Sequence, residues 1–157
     1  MITFNDLDKD PTKGGLYIHL IQPKRKIEEP GKIIEPGMSV VKPGKFNGSL
    51  NGRMKDYYSP KYWHFTDTKE PAFKLSVTIS HLILDAQDFP VEQRWLIAGL
   101  EVKLFELVKE KFNVIGKIGK GKSEYREIEF SDLENYNNIV RKISGELKKI
   151  VQVNLGY

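Results

Sequence analysis

The sequence predicts an α+β domain: one small antiparallel or mixed sheet with a β-β-α-β-α core, flanked by helices. Two runs, 15–22 (GLYIHLIQ) and 73–84 (FKLSVTISHLIL), are rich in β-branched and aromatic residues and read as strands. Two later runs, 91–112 and 131–151, carry apolar residues at helical spacing. A third strand, short, is expected at 38–41, ended by Lys42, Pro43 and Gly44. No helical pattern separates it from the first, so the two most simply lie side by side and antiparallel.

The elements follow in order. After the first strand, 23–37 holds three prolines and two glycines and reads as an irregular insertion outside the sheet. Residues 47–58 form a helix weakened at its start by Gly48 and Gly52. In the long run 91–112, Asp88 is placed to cap the helix and Pro90 to open it. Residues 125–130 suggest a last strand. Ser131 with Glu134 forms a capping box for the C-terminal helix, whose apolar Ile139, Val140, Ile143, Leu147 and Ile150 suit core or a dimer contact.

The 157 residues fit a single domain, with the core at about 14–116 and an extension at 117–157. With no cysteine, disulfides, thiolate zinc sites and a cysteine nucleophile are excluded. No apolar run is long enough to span a bilayer, and the first residues do not read as a secretory signal, so a cytoplasmic protein is expected. The net charge is +4, and the basic residues gather in 24–61 among Tyr57, Tyr58, Tyr62 and Trp63. Such a stretch suits a phosphate-backbone surface or a solvated loop.

Glu101 interrupts the apolar face of the 91–112 helix, with Ile97, Ala98, Leu104 and Phe105 three and four residues away. An unpaired buried carboxylate is costly, so it calls for an ion pair or a metal ion. On this reading its removal would stabilise the fold.

Gly15-Leu16-Tyr17 lies on the first strand, Lys42-Pro43-Gly44-Lys45 after the second, and Arg53 and Tyr57 share one face of the next helix. Glu101 follows on a later helix, and Asn113 lies just past that helix. In order and spacing this resembles the GIY-YIG endonucleases, over about 14–116. Lys42 stands where most members have tyrosine and Pro43 where they have an aliphatic residue; restriction enzymes of the family are similar in having lysine there.

The resemblance implies a Mg²⁺-dependent endonuclease (Mn²⁺ as a substitute) acting on double-stranded DNA as a homodimer, of the type II restriction kind. Phosphodiester hydrolysis needs an activated water and stabilisation of charge on the phosphate. Glu101 is the expected metal ligand. Arg53 offers its planar fork to phosphate oxygens. Tyr17 is the candidate base, its phenol pKa brought down from about 10 by Lys42 and Lys45. Tyr57 orients water or bonds the phosphate, and Asn113 buttresses the site. Lys24, Arg25 and Lys26 of the insertion are candidate DNA contacts. His64 is a possible site residue, His19 shares the strand face of Tyr17, and His81 is expected to be structural.

The run 116–122 (GKIGKGK) lacks the spacing of a P-loop. A non-catalytic nucleic-acid-binding or protein-interaction module on the same scaffold is the competing reading.

Overall fold

The computed structural model describes residues 2–4, 13–29, 31–56, 64–91, 94, 97, 100–115 and 133–154. Among the described residues seven strands form two sheets. The larger is built from β1 (Ile2–Phe4), β2 (Gly15–Pro23), β5 (Val40–Phe46), β6 (Ser76–Asp85) and β7 (Asn113–Val114). Their order is β1-β6-β2-β5-β7, with β2 antiparallel to both β5 and β6. The outer pairs, β1 with β6 and β5 with β7, are parallel, so the sheet is mixed. The antiparallel adjacency expected of the first two sequence-predicted strands is present.

β2 lies at the centre and is buried on both faces, which is why its sequence is apolar almost throughout instead of alternating. Leu16, Ile18 and Leu20 point to one face, which we term the helix face. There they pack with Val41, Leu84, Leu104 and Val108 of α2 (Glu101–Lys109), and Ile139, Ile143, Leu147 and Ile150 of α3 (Leu133–Asn154). Tyr17 and Ile21 point to the opposite face, with Val40, Phe46, Phe65, Phe73, and Leu50 and Met54 of α1 (Leu50–Asp56). The sheet is thus packed on both sides, as an α+β fold requires of a fully buried central strand.

Four local expectations are corrected. The 23–37 insertion is not irregular: β3 (Ile27–Glu29) and β4 (Lys32–Ile34) form a hairpin, its turn taking Gly31 at φ +75°. Ile27 and Ile34 bury into the second core, which fastens the hairpin to the body.

Lys42, Pro43, Gly44 and Lys45 do not end their strand; they lie within β5, paired with β2 from His19 to Leu16. Beyond Val41, β5 has no partner opposite β2 among the described residues, the edge setting in which proline is tolerated.

The strand expected from residue 73 begins at Ser76, because Ala72–Leu75 make a 3₁₀ turn.

The run 91–112 is not one uninterrupted helix. Leu100 is a turn residue whose N–H donates to the Ile97 carbonyl, and α2 starts at Glu101. Asp88 sits in a 3₁₀ turn whose N-cap is Asp85, its carboxylate accepting from the Gln87 N–H at 2.9 Å. The sequence reading at 125–130, the glycine-lysine run 116–122 and Ser131 of the capping box lie outside the described residues, but the C-terminal helix itself is present. Among the described residues no helix is long and apolar enough to cross a membrane.

Candidate phosphate-binding face

The register of β2 assembles the candidate site. Strand alternation places Tyr17 and His19 on the α1 side of the sheet, opposite the helix face. Tyr17 pairs with Gly44 across to β5, and His19 pairs with Lys42 on β5 and Ser80 on β6. A side chain at position 44 would meet the Tyr17 hydroxyl oxygen at 2.5 Å, so the glycine makes room for the phenol. Gly15 is equally constrained: a Cβ there would run into the Leu84 carbonyl oxygen and the Phe46 ring. Both glycines of the family-like triplets therefore have packing reasons to be glycine.

Tyr17 is 1% exposed and His19 0%, with ring centroids 4.7 Å apart. The Ser80 hydroxyl lies 2.7 Å from His19 Nδ1 and also points to Met54 Sδ at 3.8 Å. Burial, and then the charges of Lys42 and Arg53, hold the His19 imidazole well below its ordinary pKa. That dependence locates both cations around His19.

Arg53 comes from α1, whose start is fixed locally. Ser49 is the N-cap, its hydroxyl accepting from the Gly52 N–H at 3.1 Å and its carbonyl from the Arg53 N–H. Leu50 and Met54 bury against the sheet, which leaves the half-buried Arg53 at the rim of the same face.

Tyr17, Lys42 and Arg53 are therefore brought together, with His19 between them. Tyr57 lies outside the described residues. Lys45 is separated from the cluster: paired with Leu16, it follows the side-chain alternation onto the helix face. Its charge does not join that of Lys42 beside Tyr17.

Glu101 is also placed differently from the sequence expectation. It is the first residue of α2 and partly exposed, on a helix whose Leu104 and Val108 pack the helix face. A carboxylate in a first turn is favoured by the helix dipole, so its position needs no metal ion to explain it. Asn113 is exposed at the start of β7, in register with Val40. His64 is exposed and bridges to Pro71.

The insertion lysines divide as well. Arg25 is engaged by both carboxylate oxygens of Asp67, at 3.1 and 3.2 Å. The Thr66 hydroxyl donates to the Glu28 carbonyl at 2.7 Å, and Lys32 Nζ donates to the Val114 carbonyl at 2.9 Å. Lys24 and Lys26 are exposed.

Mg²⁺ prefers oxygen donors, carboxylates above all. Among the described residues no group of three or more His, Asp or Glu side chains that could hold a metal ion occurs.

Sequence reasoning placed His19 only at the border of the site and passed over Ser80. The signal was present: Ser76, Thr78 and Ser80 recur at period two in an apolar strand, and all three are buried. They form a polar stripe, with Ser76 and Thr78 hydroxyls 3.0 Å apart and Ser76 donating to the Ala72 carbonyl. Comparison with family models, curated proteins and solved structures finds no match to this chain.

Proposed function

We propose that this chain engages the phosphodiester backbone of double-stranded DNA on the α1 side of its sheet and hydrolyses it as an endonuclease. The observation that carries the reading is the gathering of Tyr17, Lys42 and Arg53 around one strand pair. Phosphoryl transfer asks for donors aimed at phosphate oxygens and for a group that manages the proton of the attacking water. Arg53 supplies a bidentate fork and Lys42 a point charge, each partly exposed. The Tyr17 phenol lies beside them at Gly44. The resemblance in the order of these residues to the GIY-YIG pattern supports the same chemistry, and cutting both strands would use two copies of the chain.

A non-catalytic DNA-binding module is the second reading, favoured by one observation: the helix carrying Glu101 packs the helix face, apart from the cationic cluster. One assay separates the two. Plasmid DNA is incubated with the protein in Mg²⁺ and in EDTA, beside Glu101→Gln. Cleaved plasmid supports the endonuclease. Retarded but uncut plasmid at every condition supports the module. Loss of cutting in both EDTA and Glu101→Gln would return Glu101 to a metal-binding role, against its placement on α2.

A further inference from the structure

We propose that Asn47 is a self-modification site, its side-chain amide lost to attack by the Gly48 backbone nitrogen, which leaves aspartate and isoaspartate just past β5. The inference stands apart from the phosphate reading above.

The chemistry needs an asparagine followed by an unhindered backbone nitrogen. Only Asn47 and Asn51 precede a glycine in this chain. Glycine has no Cβ to obstruct its own nitrogen or to limit the backbone rotation that brings it in. The Gly48 nitrogen gives its proton to solvent base and bonds to Asn47 Cγ. The Cγ–Nδ2 bond breaks and the amide nitrogen leaves as ammonia. Water then opens the succinimide ring at either carbonyl. Attack at Cγ restores the main chain with an aspartate, and attack at the main-chain carbonyl gives isoaspartate, whose chain runs through Cβ and Cγ. The sum is asparagine and water to acid and ammonia, with nothing oxidised or reduced.

The fold separates the two asparagine-glycine pairs. Asn47 and Gly48 are exposed in the bend between β5 and α1. Gly48 sits at φ +70°, with nothing within 4 Å of the position a Cβ would take. Among the described residues its N–H has no hydrogen-bond acceptor. Asn51 and Gly52 lie inside α1, where the Gly52 N–H donates to the Ser49 hydroxyl at 3.1 Å. Helical backbone turns that nitrogen away from the Asn51 side chain, so the ring closes there only when the helix opens. The same dipeptide is reactive at 47 and protected at 51.

The product reaches back into the sheet. Phe46 is buried and in register with Gly15, and the Gly48 carbonyl accepts from the Gly14 N–H at 3.0 Å. Isoaspartate inserts one main-chain carbon between these two fixed points. The Gly14–Gly48 bond is the weaker tie, so it gives and the start of β2 loosens.

The test is incubation of the intact folded protein in mildly alkaline buffer, with peptide mapping by mass spectrometry at intervals. The same protein in urea and the folded Asn47→Gln variant run beside it. Conversion at 47 should outpace conversion at 51 by about tenfold or more in the folded protein, the factor that about 1.4 kcal/mol of helix opening sets. In urea the two rates should converge. Asn47→Gln, whose ring would be one atom larger, should keep its amide over the same period. Amide exchange at Gly14 should quicken in the isoaspartate fraction. Conversion at 51 keeping pace with 47 in the folded protein, or no conversion at 47, overturns the inference. Unchanged Gly14 exchange in the isoaspartate fraction overturns its reach into β2.

Discussion

Alanine at position 44 would place its Cβ 2.5 Å from the Tyr17 hydroxyl oxygen, so either the phenol or the strand must shift. Overpacking of this kind costs about 1–3 kcal/mol. Gly44→Ala is therefore expected to lower the free energy of unfolding by that amount, with a lower denaturation midpoint, and to reduce DNA cleavage along with it, since it displaces Tyr17. An unchanged midpoint would mean that the phenol is not held where it is described.

The two buried histidines carry a second prediction. His81 is 6% exposed on the helix face, and burial lowers its pKa as it lowers that of His19. In the unfolded chain both protonate at about 6.5. In the folded chain they do not until lower pH. The unfolded state therefore binds more protons below about pH 6.5, and stability falls as pH drops from there towards the depressed folded values. The slope should reach about 1.4 kcal/mol per pH unit for each histidine, read from urea unfolding across that window. His81→Leu should flatten it; a slope unchanged by that substitution would contradict the account.

At the scale of elements, α2 and the β3–β4 hairpin show how tertiary packing re-reads the sequence. Helical spacing alone put Glu101 among four apolar neighbours, with the corollary that removing it would stabilise the protein. The break at Leu100 turns the same residue into a first-turn acid, and the sign reverses. Glu101→Gln is expected to cost about 0.3–1 kcal/mol by thermal unfolding and to leave duplex affinity unchanged.

The hairpin's basic residues should split in the same way. Arg25→Ala loses an exposed bidentate pair with Asp67, a change of up to about 1 kcal/mol in stability. Lys26→Ala should leave stability alone. If the hairpin touches DNA, it lowers the salt dependence of binding by about one phosphate contact. Identical effects of the two substitutions would contradict this division.

The strands that were legible, β2 and β6, are those whose own composition fills a buried sheet position. β1 and β7 are three and two residues long and exist only because a neighbouring strand offers them a ladder. Lys42-Pro43-Gly44-Lys45 looks like a turn in isolation and is a strand because β2 lies beside it.

For the molecule as a whole, a central strand buried on both faces divides the candidate residues into two groups that no linear spacing separates. Tyr17, His19, Lys42 and Arg53 were legible as candidates, because residues two apart in a strand share a face. Lys45 and the helix carrying Glu101 lie on the other face; motif order carries no information about which side of a sheet a helix covers. The central claim is that the functional face is the one beneath α1. Lys42 and Lys45 test it most directly, being the same residue type, three positions apart on one strand, on opposite faces. The measurement is duplex DNA affinity, by fluorescence anisotropy at fixed salt, for Lys42→Ala and Lys45→Ala beside the wild type. The account predicts that Lys42→Ala weakens binding by about tenfold, the effect of a charge-assisted phosphate contact, while Lys45→Ala stays close to wild type. Equal losses from the two substitutions, or a loss confined to Lys45→Ala, would contradict it.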